Sequence, residues 1–138
     1  MPITKEFTVL TEDSSSALAK VCRALADRDV NILALQSFPT GERRVTRFIV
    51  DNPKTAETVL AGERLTYADA EIVQTKILHR PGEIARLAFR LAEADISINY
   101  AYCGLEAGTN SPLVFFNVSD VDKAASILEH TAGAAAMT

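Results

Sequence analysis

The sequence predicts an α+β protein built from two tandem βαββαβ units, and three observations predict it. One apolar pattern occurs twice, each copy carries strand and helix periodicities in the same order, and the repeat is close to half of the 138 residues. Ser16-Ala17-Leu18-Ala19-Lys20-Val21-Cys22-Arg23-Ala24-Leu25-Ala26-Asp27 lies over Gly82-Glu83-Ile84-Ala85-Arg86-Leu87-Ala88-Phe89-Arg90-Leu91-Ala92-Glu93, and Asp29-Val30-Asn31-Ile32 over Asp95-Ile96-Ser97-Ile98, at a constant offset of 66. Past a hairpin the offset becomes 68, with Phe48-Ile49-Val50 over Phe116-Asn117-Val118 and Ala56 and Leu60 over Ala124 and Leu128. A surface turn absorbs the two extra residues. The boundary falls near Glu71, giving units 1–70 and 71–138.

Within the first unit, Phe7-Thr8-Val9-Leu10 alternates and is rich in β-formers, so it reads as a strand. Residues 15–28 set Leu18, Val21 and Leu25 at helical spacing, with small Ala17 and Ala24 beside them. A second strand covers Val30 to Leu35, Pro39-Thr40-Gly41-Glu42 supplies a turn, and Val45 to Val50 returns as a third. Asp51-Asn52-Pro53 offers a cap and a first-turn proline for a helix over 54–61. Leu65 to Ala70 is a weak fourth strand running almost directly into the next unit. Two right-handed crossovers joined by a hairpin give an antiparallel four-stranded sheet with both helices on one face, the ferredoxin-like arrangement. In the second unit the fourth strand falls on Thr131 to Thr138, which is alanine-rich and poor in β-branched residues. Fraying there leaves an open sheet edge, so a homodimer that covers it is expected.

Composition removes several functional classes. Apolar residues are 48% and charged residues 23%, the balance of a globular protein. The net charge of −4, without a basic run, gives no footprint for nucleic acid or an anionic membrane. No apolar stretch approaches the ~20 residues that span a bilayer, and the polar Met1-Pro2-Ile3-Thr4-Lys5-Glu6 lacks a secretory h-region. Cys22 and Cys103 make neither a disulfide scaffold nor a metal knuckle, which points to a reducing cytoplasm. No His/Cys cluster, phosphate loop or nucleophile–base set occurs, so no catalytic residue, metal or cofactor is expected.

The loop after the first strand of each unit carries a family resemblance. His79-Arg80-Pro81-Gly82-Glu83-Ile84-Ala85, followed by Leu91-Ala92-Glu93-Ala94-Asp95-Ile96-Ser97-Ile98, resembles the ACT-domain pattern of strand, Arg-Pro-Gly loop, helix and Ile-Asn-Ile-like strand. The first unit resembles it less at Asp13-Ser14-Ser15-Ser16 and well at Leu25 to Ile32. The resemblance covers nearly the whole chain as two copies. It implies a stand-alone regulatory protein that binds an amino acid between the loop of one unit and the second strand of its partner. On this sequence the implied site is His79, Arg80, Pro81, Gly82 and Glu83 with Asn31, and a pseudo-symmetric site is Asp13, Ser15 and Ser16 with Ser97 and Asn99. Helix N-terminal amides and the macrodipole suit a carboxylate, and Gly82 lets a ligand approach the backbone. With Ser15-Ser16 in place of Pro-Gly and Ser97 in place of asparagine, the two sites are not equivalent, and the Pro-Gly loop is expected to be the better one.

Plainer readings stand beside these. Arg80-Pro81-Gly82 also serves as an efficient strand-to-helix turn, Asn31 as an exposed strand residue, and Asp13 to Ser16 as helix caps. Cys22 reads as a small buried hydrophobe and His130 as a helix C-terminal charge. Glu42-Arg43-Arg44 is a hairpin-tip charge cluster, usually solvated, whose arginines can dock an anion. The expected function is therefore a non-catalytic regulator that binds an amino acid and signals to a metabolic-enzyme partner. The alternative is a ligand-free subunit that joins such an enzyme through its sheet edges.

Overall fold

A computed structural model describes residues 2–136, with side chains over 2–129. The chain order is β1 (Ile3–Glu12), α1 (Ala17–Ala26), β2 (Ile32–Thr40), β3 (Arg43–Val50), α2 (Pro53–Gly62), β4 (Thr66–Lys76), α3 (Glu83–Glu93), β5 (Ile98–Leu105), β6 (Pro112–Val118) and α4 (Val121–Ala136). Two compact units form: Lys5–Ala70, and the residues up to Thr4 together with those from Glu71 onward. No helix among the described residues is long and apolar enough to cross a membrane.

In the Lys5–Ala70 unit the strand order is β2-β3-β1-β4. The register places Phe7 opposite Phe48 and Val9 opposite Thr46, so those side chains share one face. Phe7 and Phe48 stack with centroids 5.7 Å apart. Both helices bury their stripes on that face, Val21 and Leu25 from α1 and Ala56, Val59 and Leu60 from α2. The expected helix periodicity is thus the core pattern. Asn52 caps α2 by accepting from the Thr55 N–H at 3.2 Å, and Pro53 opens the helix where no backbone donor is needed.

The second unit repeats the plan with β4-β6-β5. Val73, Val114, Phe116 and Val118 meet Leu87 and Leu91 of α3 and Ala124, Ala125 and Leu128 of α4. The repeat reaches fine detail. Ladder irregularities fall between Ile32 and Ala34 and, 66 residues on, between Ile98 and Tyr100. Asn31 and Asp51 clasp the start of β2 to the end of β3, the Asn31 N–H donating to Asp51 Oδ1 at 2.9 Å and the Asp51 N–H returning to the Asn31 carbonyl at 3.1 Å. Ser97 and Ser119 make the same double contact at 3.0 Å each.

Three helices end alike. After α1, α2 and α3 the chain turns through a left-handed residue, Asp29 (φ 57°), Arg64 (φ 56°) and Asp95 (φ 58°). The next amide reaches back five residues, Val30 to Leu25, Leu65 to Leu60 and Ile96 to Leu91, and so satisfies an orphan carbonyl.

Two expectations need correction. The fourth strand of the first unit does not stop at Ala70: β4 continues to Lys76 and also serves as the first strand of the second unit. A fourth strand over Thr131 to Thr138 does not form, because α4 runs to Ala136; residues 137–138 and the side chain of His130 lie outside the described residues. Alanine-rich sequence favours helix over strand. The place beside β4 is taken instead by the start of the chain, where the Gln74 N–H donates to the Pro2 carbonyl at 2.8 Å. The edge that motivated a homodimer is therefore already covered at this point.

Candidate functional site

The Pro-Gly loop is a rigid strand-to-helix connection. Beyond β4 the Ile77 N–H still reaches the Pro112 carbonyl at 3.2 Å, and the Arg80 N–H then bends back to Leu78 at 2.9 Å. Pro81 precedes the helix, where its missing N–H removes no helical bond. Gly82 caps α3 with φ 91° and no side-chain hydrogen bond. Its conformation is what demands glycine, since a β-carbon there meets nothing within 4 Å. The space above Gly82 is open.

Glu83 follows at the first helical position and is buried at 5% exposure. Arg86 Nη2 donates to its Oε2 at 3.1 Å and Arg80 Nε to its Oε1 at 3.0 Å. The Arg86 hydrogen bond, with that of Arg80, holds the carboxyl below its usual range against a burial effect in the other direction. The sequence carried this clamp as Glu83 and Arg86, three apart on one helix face, with Arg80 in the loop three residues ahead of Glu83; Arg86 was not among the expected site residues. Beside the clamp lies a cleft of about 370 Å³. Ile77, Leu78, Pro81 and Ile84 give it apolar walls, and His79, Arg80 and Glu83 bring the polar groups. Leu78 and Ile84 are half exposed although apolar. The structure therefore brings His79, Arg80, Pro81 and Glu83 together, with Gly82 setting the angle at which α3 leaves.

The Asp13-Ser16 loop is built differently. Arg44 Nε donates to Asp13 Oδ1 at 3.1 Å, the Asp13 N–H donates to the Glu42 carbonyl at 3.3 Å, and Arg44 Nη1 reaches Ser37 Oγ at 3.1 Å. Asp13 thus ties its loop to the β2–β3 hairpin. Ser16 stands at the N-cap of α1 without a side-chain cap bond, and Ser15 and Ser16 are exposed. Ala17 occupies the position equivalent to Glu83, so the first turn of α1 has no acidic residue.

The second-strand positions lie away from the loops of their own units. Ser97 follows α3 while Gly82 precedes it, about 16 Å away for eleven helical residues. Asn31 sits just before β2, exposed, with its backbone engaged by Asp51. Asn99 occupies the β5 irregularity and donates from Nδ2 to Asn117 Oδ1 at 2.7 Å. Among the described residues no three His, Cys, Asp or Glu side chains gather to hold a metal ion. Cys22 and Cys103 are free thiols, and burial raises the pKa of Cys22.

Residues 9–61 match the ACT domain family model. Among solved structures, the chain is similar to protein BT0572 of Bacteroides thetaiotaomicron, at TM-score 0.82 and 24% identity over 94% of this chain and 88% of that one. It is also similar to the ligand-free regulatory subunit of aspartate kinase from Thermus thermophilus (TM-score 0.62, 15% identity, 94% and 93% covered). The regulatory subunit from Thermus flavus gives TM-score 0.57 at 17% identity over 94% and 92%. These likenesses show the fold. No curated protein matches the chain by sequence.

Proposed function

From the premise that residues 9–61 are an ACT domain in a chain of two ferredoxin-like units, we propose a non-catalytic regulatory protein that takes an amino acid at the Arg80-Pro81-Gly82 loop. It passes occupancy on to a metabolic enzyme in the cytoplasm. The observation that carries this reading is the 370 Å³ cleft set against the first turn of α3. Its apolar walls suit an aliphatic side chain, while Arg80 and the unpaired first-turn amides suit a carboxylate. The Asp13, Ser15 and Ser16 loop of the Lys5–Ala70 unit is the weaker counterpart of this loop, and Asn31, Ser97 and Asn99 hold the second-strand positions that the family resemblance assigns to ligand contact. Regulatory subunits of aspartate kinase with the same fold support a role in controlling an enzyme. The physical mechanism is a population shift, in which a ligand favours one arrangement by its differential affinity, with coupling of ~1–3 kcal/mol typical.

Thermal-shift screening against the twenty amino acids tests it. One or a few ligands raise the melting temperature, and Gly82→Val removes the rise. The second reading, a ligand-free subunit joining an enzyme or a second copy of itself, is favoured by the edge strands β2 and β5. No shift with any amino acid, together with co-purification of an enzyme, selects that reading.

A further inference from the structure

The outer face of α3 is apolar where a surface helix is ordinarily polar. Glu83, Leu87 and Leu91 turn inward and are buried. Beside them runs a second stripe, with Ile84, Ala88 and Ala92 at spacings of four and Ala85 and Phe89 alongside. Phe89 is 70% exposed and Ile84 44% exposed. Leu78, half exposed, lines the loop cleft with Ile84 and carries the patch beyond the start of the helix. Single exposed apolar side chains are ordinary on a protein surface, whereas a contiguous run of them marks an interaction site.

The first unit shows that the fold itself does not require this face. At the offset of 66, Phe89 corresponds to Arg23, whose Nε pairs with Asp27 Oδ1 at 3.0 Å on the open surface of α1. Two helices with one buried pattern thus carry different exteriors, and α3 has the apolar one. Its ends also differ in charge. Arg80, with a side chain 59% exposed, stands just ahead of the helix. Glu93, 68% exposed, closes it, and exposed Asp95 follows.

We propose that this face is where a second copy of the chain docks, the two α3 helices running antiparallel across a twofold axis at Ala88. In that register each feature meets its complement. Ile84 lies against the partner's Ala92, and Phe89 enters the gap beside the partner's Ala85 and Ala88. Large side chains oppose small ones, so the helices approach closely and fill the space between them. Arg80 comes opposite the partner's Glu93 and Asp95, cation against anion, and symmetry repeats the contact at the other end. A parallel pair would set like ends together. The contact is one helix face per copy, at the small end of interface sizes, so the dimer is weak and reversible. It uses the helix layer and not the strand edges.

Sedimentation velocity of the full chain, from about 5 to about 500 μM and without added ligand, tests the assignment. A monomer at the low end and a dimer at the high end are expected. Phe89→Arg, which installs the residue type that α1 carries, keeps the circular dichroism and melting temperature of the dilute protein and raises the dissociation constant at least about tenfold. Thiol cross-linking in a Cys22→Ser, Cys103→Ser background reads the register. Ala88→Cys, on the axis, joins to its own copy under mild oxidation. Glu93→Cys does not, because five residues from the axis it lies about 15 Å from its copy. A monomer throughout the range, which leaves the face to an unlike protein, would overturn the proposal. So would a dimer unmoved by Phe89→Arg, or stronger linking at residue 93 than at residue 88.

Discussion

Two glycines with equal room around them respond to alanine with opposite signs. At both Gly62 and Gly82 an added β-carbon meets no atom within 4 Å, so packing is not the issue at either. Gly82 has φ 91°, where a β-carbon costs ~1–2 kcal/mol. Alanine also removes ~0.4–1 kcal/mol of unfolded-state freedom, which leaves a net loss near ~1 kcal/mol. Gly62 closes α2 and has no positive φ, so alanine there gains ~0.5–1 kcal/mol from helix propensity and chain entropy. At about 4 °C per kcal/mol for a chain of this size, Gly82→Ala melts some degrees below the parent and Gly62→Ala slightly above it. Thermal melts followed by far-UV circular dichroism measure both. If both variants shift the same way, backbone conformation is not what requires glycine at the head of α3, and the account of that loop is wrong.

Other outcomes follow from the same structure. Because the Glu83 carboxyl is held below its ordinary range, its ion pairs stabilise the fold above the unfolded carboxylate pKa, about 4.3, and that stability is lost as pH falls through the depressed folded value. Melting temperature against pH shows this acid limb, and Glu83→Gln flattens it. Leu87→Ala, in the second core at 1% exposure, costs ~2–5 kcal/mol in urea unfolding, whereas Phe89→Ala, 70% exposed, stays within about 0.5 kcal/mol. Iodoacetamide at neutral pH labels exposed Cys103 before Cys22, whose thiolate is disfavoured by burial; mass spectrometry of timed samples gives the order.

The helices were legible because their apolar spacing is the core pattern itself: Val21, Leu25, Leu87 and Leu91 are all buried. The duplication was legible for the same reason, and it extends to the Asn31–Asp51 and Ser97–Ser119 clasps, which depend on backbone position and tolerate a change of side chain. The dual use of β4 was not legible, since a strand that ends one unit and begins the next looks the same as two short strands with a lost turn. The substitute for the last strand was hidden too: Pro2 and Gln74 are remote in sequence, and no local pattern joins them. At the loop, the sequence supplied His79 to Glu83 as a set, but that Arg86 joins Arg80 on one carboxylate follows from the helix closing its first turn.

The seat of Pro2 beside Gln74 bears on how this polypeptide is made. On the ribosome the residues that finish the second unit emerge first and wait for some seventy more before their partner exists. Gene fragments cut at residue 70 would therefore not yield two independent cassettes. The downstream fragment lacks an edge that lies at the opposite end of the reading frame, and supplying the missing segment in trans as a short peptide should rescue it.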